Sequence, residues 1–409
     1  MRGNDNSSVV SREREGGGVV VSVEGARTGS RIDSIDIVRG IAMIVMALDH
    51  TRDYFAVSQA DPLFVPTATF GYFMTRWITH FCAPVFVFLA GTGAYLFGTH
   101  GKTKSELAAF LFTRGVWMII LELTIVRFGW MFNFGASYLF GQVIWAIGWS
   151  MILLAGLIFL PHILIALFAL SVIVLHNAFD TTSPNAFGSY AWLWKILHVR
   201  DEIRLGGGSV FEPQYPLIPW VGLCAIGYAF GRTFTIEAPR RRRAILLLGV
   251  GLTIGFIILR ATNLYGDPQP WHEQDELMRT AFSFVNTQKY PPSLLFVMMT
   301  IGPSLIALAL LERSAGLVAQ RIMVFGRVPL FYYILHLFVI HGLALFIGVL
   351  QGFPATAFLH SYGGFPAGFG FSLPAVYAFW FLVILLLYPV CLWYAHVKAR
   401  HKSVLLSYL

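Results

Sequence analysis

Four ionisable side chains, Asp49, His50, Arg52 and Asp53, crowd into five residues at the end of the apolar run "IDIVRGIAMIVMAL" (residues 35–48). A neutral imidazole with a pKa near 6.5 can take a proton from a hydroxyl or an amine at neutral pH. A nearby carboxylate can orient that ring and stabilise the imidazolium that forms. Asp49 and Asp53 are four apart, and His50 and Asp53 three apart, so one helix turn can bring all three together. His50 is therefore the leading candidate general base, with Asp49 and Asp53 as its catalytic partners. An interfacial helix end whose charges snorkel into water also accounts for the same residues.

Other apolar stretches carry polar groups that such a site would need. His80, in "RWITHFCAP" (76–84), is a second candidate base. Glu122, Arg127, Gln142, Tyr290, Tyr333, His336 and His341 are candidate substrate-binding residues. His336 and His341 are five apart, about 140° around a helix, so they do not share a face, and no metal site is expected. Asp36 and Arg39 form an i,i+3 pair near the start of the first apolar run. Arg39, with Arg327 in "FGRVP" (325–329), is a candidate receiver of an anionic group at that end.

These residues must be positioned by elements that cross a membrane. Hydrophobic residues make up 56% of the 409 and charged residues only 12%, against about 25% charged in soluble proteins. The mean hydropathy is +0.67. Ten apolar stretches of helix length are expected as spans, near 35–56, 77–98, 108–129, 137–160, 162–179, 215–234, 243–262, 292–311, 323–350 and 373–397. The expected fold is an all-α polytopic bundle over 35–398, between a disordered cytoplasmic tail (1–34) and a short cytoplasmic tail (399–409).

Net charge is +8, but the basic residues lie in short segments between apolar runs, such as "RRRR" (240–243). That pattern fits topology determinants rather than nucleic-acid binding, and it puts both termini in the cytoplasm. His50 then lies about 15 residues into the first helix, roughly 22 Å across a core of about 30 Å. The site falls in the outer third. Cys82, Cys224 and Cys391 all lie in apolar runs and offer no disulfide framework. No P-loop, GxSxG or HExxH motif is present.

At "RIDSIDIVRGIAMIVMALDH" (31–50) the sequence resembles the first helix of the heparan-α-glucosaminide N-acetyltransferase family and its bacterial branch. Arg31, Ser34, Asp36, Arg39, Gly40, Ala42 and Met46 carry the match. Further resemblance lies in "RWITHFCAPVFVFLAGTGAYLF" (76–97), "PLIPWVGLCAIGYAFG" (216–231), "KYPPSLLFVMMTIGP" (289–303) and "FGRVPLFYYILHLFVIHGLAL" (325–345). The resemblance implies a multi-pass acetyltransferase of the cell membrane, here the bacterial inner membrane. It implies acetyl-CoA as cytoplasmic acyl donor and a sugar or amino sugar as extracytoplasmic acceptor. The partners it implies are the lipid bilayer and these two small molecules, with a homodimer as the form in which two copies would associate. In the animal enzyme, helix 1 ends in Asn and a catalytic His follows in the loop. Here His50 stands at the Asn position and Asp61 at the later one. The rival expectation from the residues is a proton-coupled transporter that uses the intramembrane His, Asp and Glu groups as a relay.

Overall fold

The computed structural model describes residues 32–57, 61–314, 316–359 and 365–401. The tails expected over 1–34 and 399–409 lie largely outside the described residues, as does Arg31 of the first-helix motif.

Local chemistry sets the helix starts. α1 (Asp33–Phe55) has Asp33 and Asp36 in its first turn and Arg52 in its last, charges that complement the helix dipole. A short α2 (Phe70–Thr79) leads into α3 (Cys82–Gly98). α4 (Lys104–Leu121) begins at a capping box, in which the Thr103 hydroxyl accepts from the Glu106 N–H and Glu106 accepts from the Thr103 N–H at 2.8 Å. A π-helical turn at Glu122–Val126 joins α4 to α5 (Arg127–Met131). The chain continues through α6 (Val143–Leu157), α7 (His162–Leu175), α8 (Ala191–Leu197), α9 (Leu217–Gly231) and α10 (Ala238–Thr262). α11 (Leu277–Val285) precedes α12 (Leu294–Leu311), which is capped by Ser293 accepting from the Phe296 N–H at 3.0 Å. α13 (Leu317–Arg327), α14 (Pro329–Leu350) and α15 (Leu373–Arg400) complete the bundle.

Among the described residues, eight helical runs are long and apolar enough to cross a membrane. α1, with its ionisable groups, matches the expected span 35–56, whereas the 15-residue α6 fills only 143–157 of the expected 137–160, whose first residues are extended instead. The chain is an all-α polytopic membrane bundle. Its outer helices point apolar side chains away from the protein: α10 exposes Leu247, Leu248, Ile254, Ile257 and Ile258. That pattern suits hydrocarbon as the surrounding solvent.

α1 is the central helix and packs against α2, α3, α12, α13, α14 and α15. Its crossing with α13 is close because both contact residues lack a side chain. A Cβ on Gly40 would run into the backbone of Ile322, and one on Gly326 into the backbone of Asp36. At the opposite end of α1, long connections fold over the bundle. Two of them are tied together by a small sheet of order β1–β3–β2, with β1 (Tyr138–Phe140) parallel and β2 (Ile203–Arg204) antiparallel to β3 (Val210–Glu212). Strands of two and three residues are too short for alternation to register in the sequence.

Candidate functional site

The C-terminal half of α1 faces a cavity of about 200 Å³. Asp49, His50 and Asp53 of α1 line it, with Arg76 of α2, Gln142 at the start of α6, and Tyr333 of α14. The overlying connections add Arg200, Gln214, Tyr215, Lys289 and Tyr290. Of the ten other expected site residues, Gln142, Tyr290 and Tyr333 line the cavity, whereas His80, Glu122, Arg127, His336, His341, Arg39 and Arg327 do not.

His50 is held by a second histidine. Its Nδ1 lies 2.6 Å from His336 Nε2, and His336 Nδ1 lies 3.0 Å from the Tyr332 carbonyl oxygen. A carbonyl can only accept, so His336 donates from Nδ1 and its Nε2 carries the lone pair. His50 must then donate from Nδ1, which leaves its own Nε2 unprotonated. The ring is further fixed by an edge contact with Trp130, 4.8 Å between centroids. The Trp130 carbonyl in turn accepts from the Tyr54 hydroxyl at 2.7 Å.

The expected carboxylate partners of His50 do other work. Asp49 bonds Arg52 at 3.0 Å and also Arg76, and Asp53 pairs with the same Arg52. Guanidinium groups this deep need counter-charges, because an unpaired buried charge is costly. Asp49 acts on His50 through its field, opposite in sign to that of Lys289, Arg76 and Arg52.

Lys289 is 8% exposed, and among the described residues no carboxylate pairs with it. Its ammonium lies 5.0 Å from the Tyr290 ring and 5.9 Å from the Tyr215 ring. Arg200 lies over the Tyr290 ring at 5.1 Å and bonds Glu212 at 2.8 Å. Burial alone would raise the Tyr290 phenol, but the charges of Lys289 and Arg76 outweigh it and bring the group down to about 8. Burial and the neighbouring Tyr290 push Tyr215 well up.

Several sequence candidates stand elsewhere. His80 is buried against Phe296, with neither ring nitrogen hydrogen-bonded. Glu122 accepts from the Trp145 N–H at 3.2 Å and caps the positive end of α6. Arg127 closes the 132–138 turn by donating to the carbonyls of Asn133, Gly135 and Tyr138. His341 sits between the Gly129 and Phe358 carbonyls. Arg39 and Arg327 both approach Asp36, at 3.3 and 3.9 Å, and Asp36 is 14 residues or ~21 Å back along α1 from His50.

Sequence reasoning missed Arg76, Arg200, Gln214, Tyr215 and Lys289. Each lies at a helix end or in a connection, where a basic or aromatic residue reads as interfacial. Only the fold shows that they converge.

A family model described as "Heparan-alpha-glucosaminide N-acetyltransferase, catalytic" matches residues 31–259, more than half of the chain. The match covers Asp49, His50, Arg76 and Arg200 but ends before Lys289, Tyr333 and His336. No curated protein matches the chain.

Proposed function

The chain belongs to the heparan-α-glucosaminide N-acetyltransferase catalytic family, and from that premise we propose that it moves an acetyl-type group from an acyl-CoA thioester to a sugar or amino-sugar acceptor at His50. The observation that carries this reading is the hydrogen-bond chain from the Tyr332 carbonyl through His336 to His50. It leaves His50 Nε2 as a lone-pair base on a ring that borders the cavity.

In the proposed reaction, Nε2 takes a proton from the acceptor hydroxyl or neutral amine as its oxygen or nitrogen attacks the thioester carbonyl. The new bond gives a tetrahedral intermediate with a negative oxygen. Lys289, Tyr333 and Gln142 line the cavity and are the donors proposed to hold that oxygen. Asp49 favours the imidazolium formed on His50. The intermediate then breaks its carbon–sulfur bond, and the departing thiolate recovers the proton from His50, so no net charge is left behind. His336 acts as a positioning residue, supplying the orienting acceptor that an aspartate supplies in a Ser-His-Asp triad.

A volume of 200 Å³ is below the 300–1,000 Å³ typical of whole-ligand sites. It suits the two reacting ends, with the rest of the donor and acceptor lying outside. We place donor entry at the Arg39 and Arg327 end, the site at the outer face of the cell membrane, and both termini in the cytoplasm.

The test uses the full-length protein purified in detergent, with acetyl-CoA and a panel of amino sugars and sugars. Free CoA thiol and acetylated product should appear together. His50→Ala should lower turnover about 10²–10⁴-fold with an unchanged melting temperature. Proton-driven solute accumulation in vesicles without thioester turnover would overturn the proposal.

A further inference from the structure

A second group of histidines lies apart from the cavity, where α7 ends and the connection to α9 begins. His176 and Asp180 are four residues apart on the turn that follows α7, and His198 ends α8. One ligand atom from each lies within 4.8 Å of the others, the one such group of three found among the described residues. His176 is 3% and His198 2% exposed.

The hydrogen bonds around this group do not close. Asp180 Oδ2 accepts from the Asn177 side chain at 2.7 Å, but Oδ1 is buried without a partner. His198 Nε2 lies 2.8 Å from the His176 carbonyl oxygen and 3.7 Å from Asp180 Oδ1. The second distance is too long for a hydrogen bond. His176 interacts with the Pro292 backbone, yet neither of its ring nitrogens has a hydrogen-bond partner of good geometry. An ion pair between Asp180 and a protonated His198 would leave both nitrogens of His176 unexplained. Buried polar atoms without partners are rare and point to an ion or water among them.

We infer that His176, Asp180 and His198 form a divalent-cation site of the zinc type. Two imidazoles and one carboxylate are a donor set that Zn²⁺ favours, with a fourth position left to an oxygen. The His176 carbonyl and water are the oxygens at hand. Tetrahedral ligands at 2.0–2.2 Å from the metal stand about 3.3–3.5 Å apart. His198 and Asp180 are already at 3.7 Å, so closing the group needs side-chain shifts of about 1 Å. On binding, the cation replaces the proton on His198 Nε2, which is released to solvent.

The cation's position gives it a structural task. His198 is two residues from Arg200, which reaches the cavity and stacks on Tyr290. Asn177, beside His176, accepts from the Leu294 N–H at 2.9 Å and so links the α7 end to the start of α12. A bound cation would pin the 180–214 connection to these two helices and fix Arg200 over the cavity. The expectation of no metal rested on His336 and His341, which share no helix face, and His176, Asp180 and His198 were not weighed in it.

The experiment uses full-length protein purified without chelator. Elemental analysis should find about one zinc per chain, removed by EDTA. Removal should lower the melting temperature by a few degrees, and Zn²⁺ but not Mg²⁺ should restore it. Co²⁺ in its place should give the visible absorption of a tetrahedral ion. His176→Asn and His198→Gln should each lose the metal and the Zn²⁺ response, and His272→Asn, in an exposed connection, should keep both. Wild-type protein with no metal, and with a melting temperature indifferent to EDTA and Zn²⁺, overturns the inference. So does zinc retained unchanged in both variants. If neither variant folds, the wild-type metal content and Co²⁺ spectrum decide the matter alone.

Discussion

His50 with His336, and His176 with His198, are both close pairs of imidazoles, with ring centroids 4.9 and 5.6 Å apart. They differ in what their other nitrogens meet. In the first pair a carbonyl behind His336 fixes both tautomers, and the remaining lone pair belongs to a ring that lines a cavity. In the second pair the His176 nitrogens and Asp180 Oδ1 lack partners, ligand atoms of His176, Asp180 and His198 lie within 4.8 Å of one another, and none of the three residues lines that cavity. The first arrangement has a base with somewhere to send a proton. The second has two imidazole nitrogens of His176 and one oxygen of Asp180 left for an ion to bind. His336, His176 and His198 are all buried, so burial does not separate their tasks; the partner of the second nitrogen does.

That contrast can be broken by exchanging the readouts. The largest effect is expected at the charges beneath the first pair. Asp49→Asn leaves Arg52 and Arg76 short of a buried counter-charge, which should cost about 3–5 kcal/mol of stability, read as a marked fall in melting temperature in detergent. Next, His336→Phe should lower kcat about 10²-fold by freeing the His50 tautomer, with KM and melting temperature little changed. His336→Gln offers a side-chain oxygen to His50 Nδ1 and should recover part of the loss. His198→Gln should show the reverse pattern, with kcat within about two-fold of wild type and a lower melting temperature. If His198→Gln abolished turnover while leaving stability intact, the division between the two pairs would collapse.

The bundle was legible because apolar runs near 20 residues have few other uses, and eight of the described helical runs are long and apolar enough to span, while the expected 137–160 and 323–350 runs are interrupted by a strand and by the break at Val328. His50 was legible because ionisable groups inside a membrane span are expensive and usually functional. Its partner was not. Asp49 and Asp53 are sequence neighbours with helical spacing, but α1 turns them toward Arg52 and Arg76. His336, 286 residues away, takes the orienting position. Glu122 and Arg127 were conspicuous for the same reason as His50, yet Glu122 Oε2 and the Arg127 guanidinium bond backbone groups of the following helix and turn. Cost marks a buried charge as needed, without distinguishing a helix cap from a substrate contact. Lys289 carried the opposite signal, since a lysine beside Tyr290-Pro291-Pro292 reads as an ordinary loop residue until the fold buries it.

The smallest expected effect concerns the cations over the cavity and bears on the first pair alone. The Tyr290 phenol is held down at about 8, against about 10 in an unfolded chain. A depressed acid contributes stability that is fully present above the unfolded pKa and is lost as pH falls through the folded one. Between pH 8 and pH 10 the folded protein therefore gives up this proton first, and its stability should rise relative to a variant that lacks the phenol. Tyr290→Phe removes that gain, which amounts to about 1–3 kcal/mol at pH 10. Denaturant midpoints of the two proteins at pH 7.5 and 9.5 would measure it, because the other titrating groups cancel in the difference. If the two curves stay parallel, Lys289 and Arg76 do not dominate the field at the cavity. The cationic hold proposed for the developing oxyanion would then lose its main support.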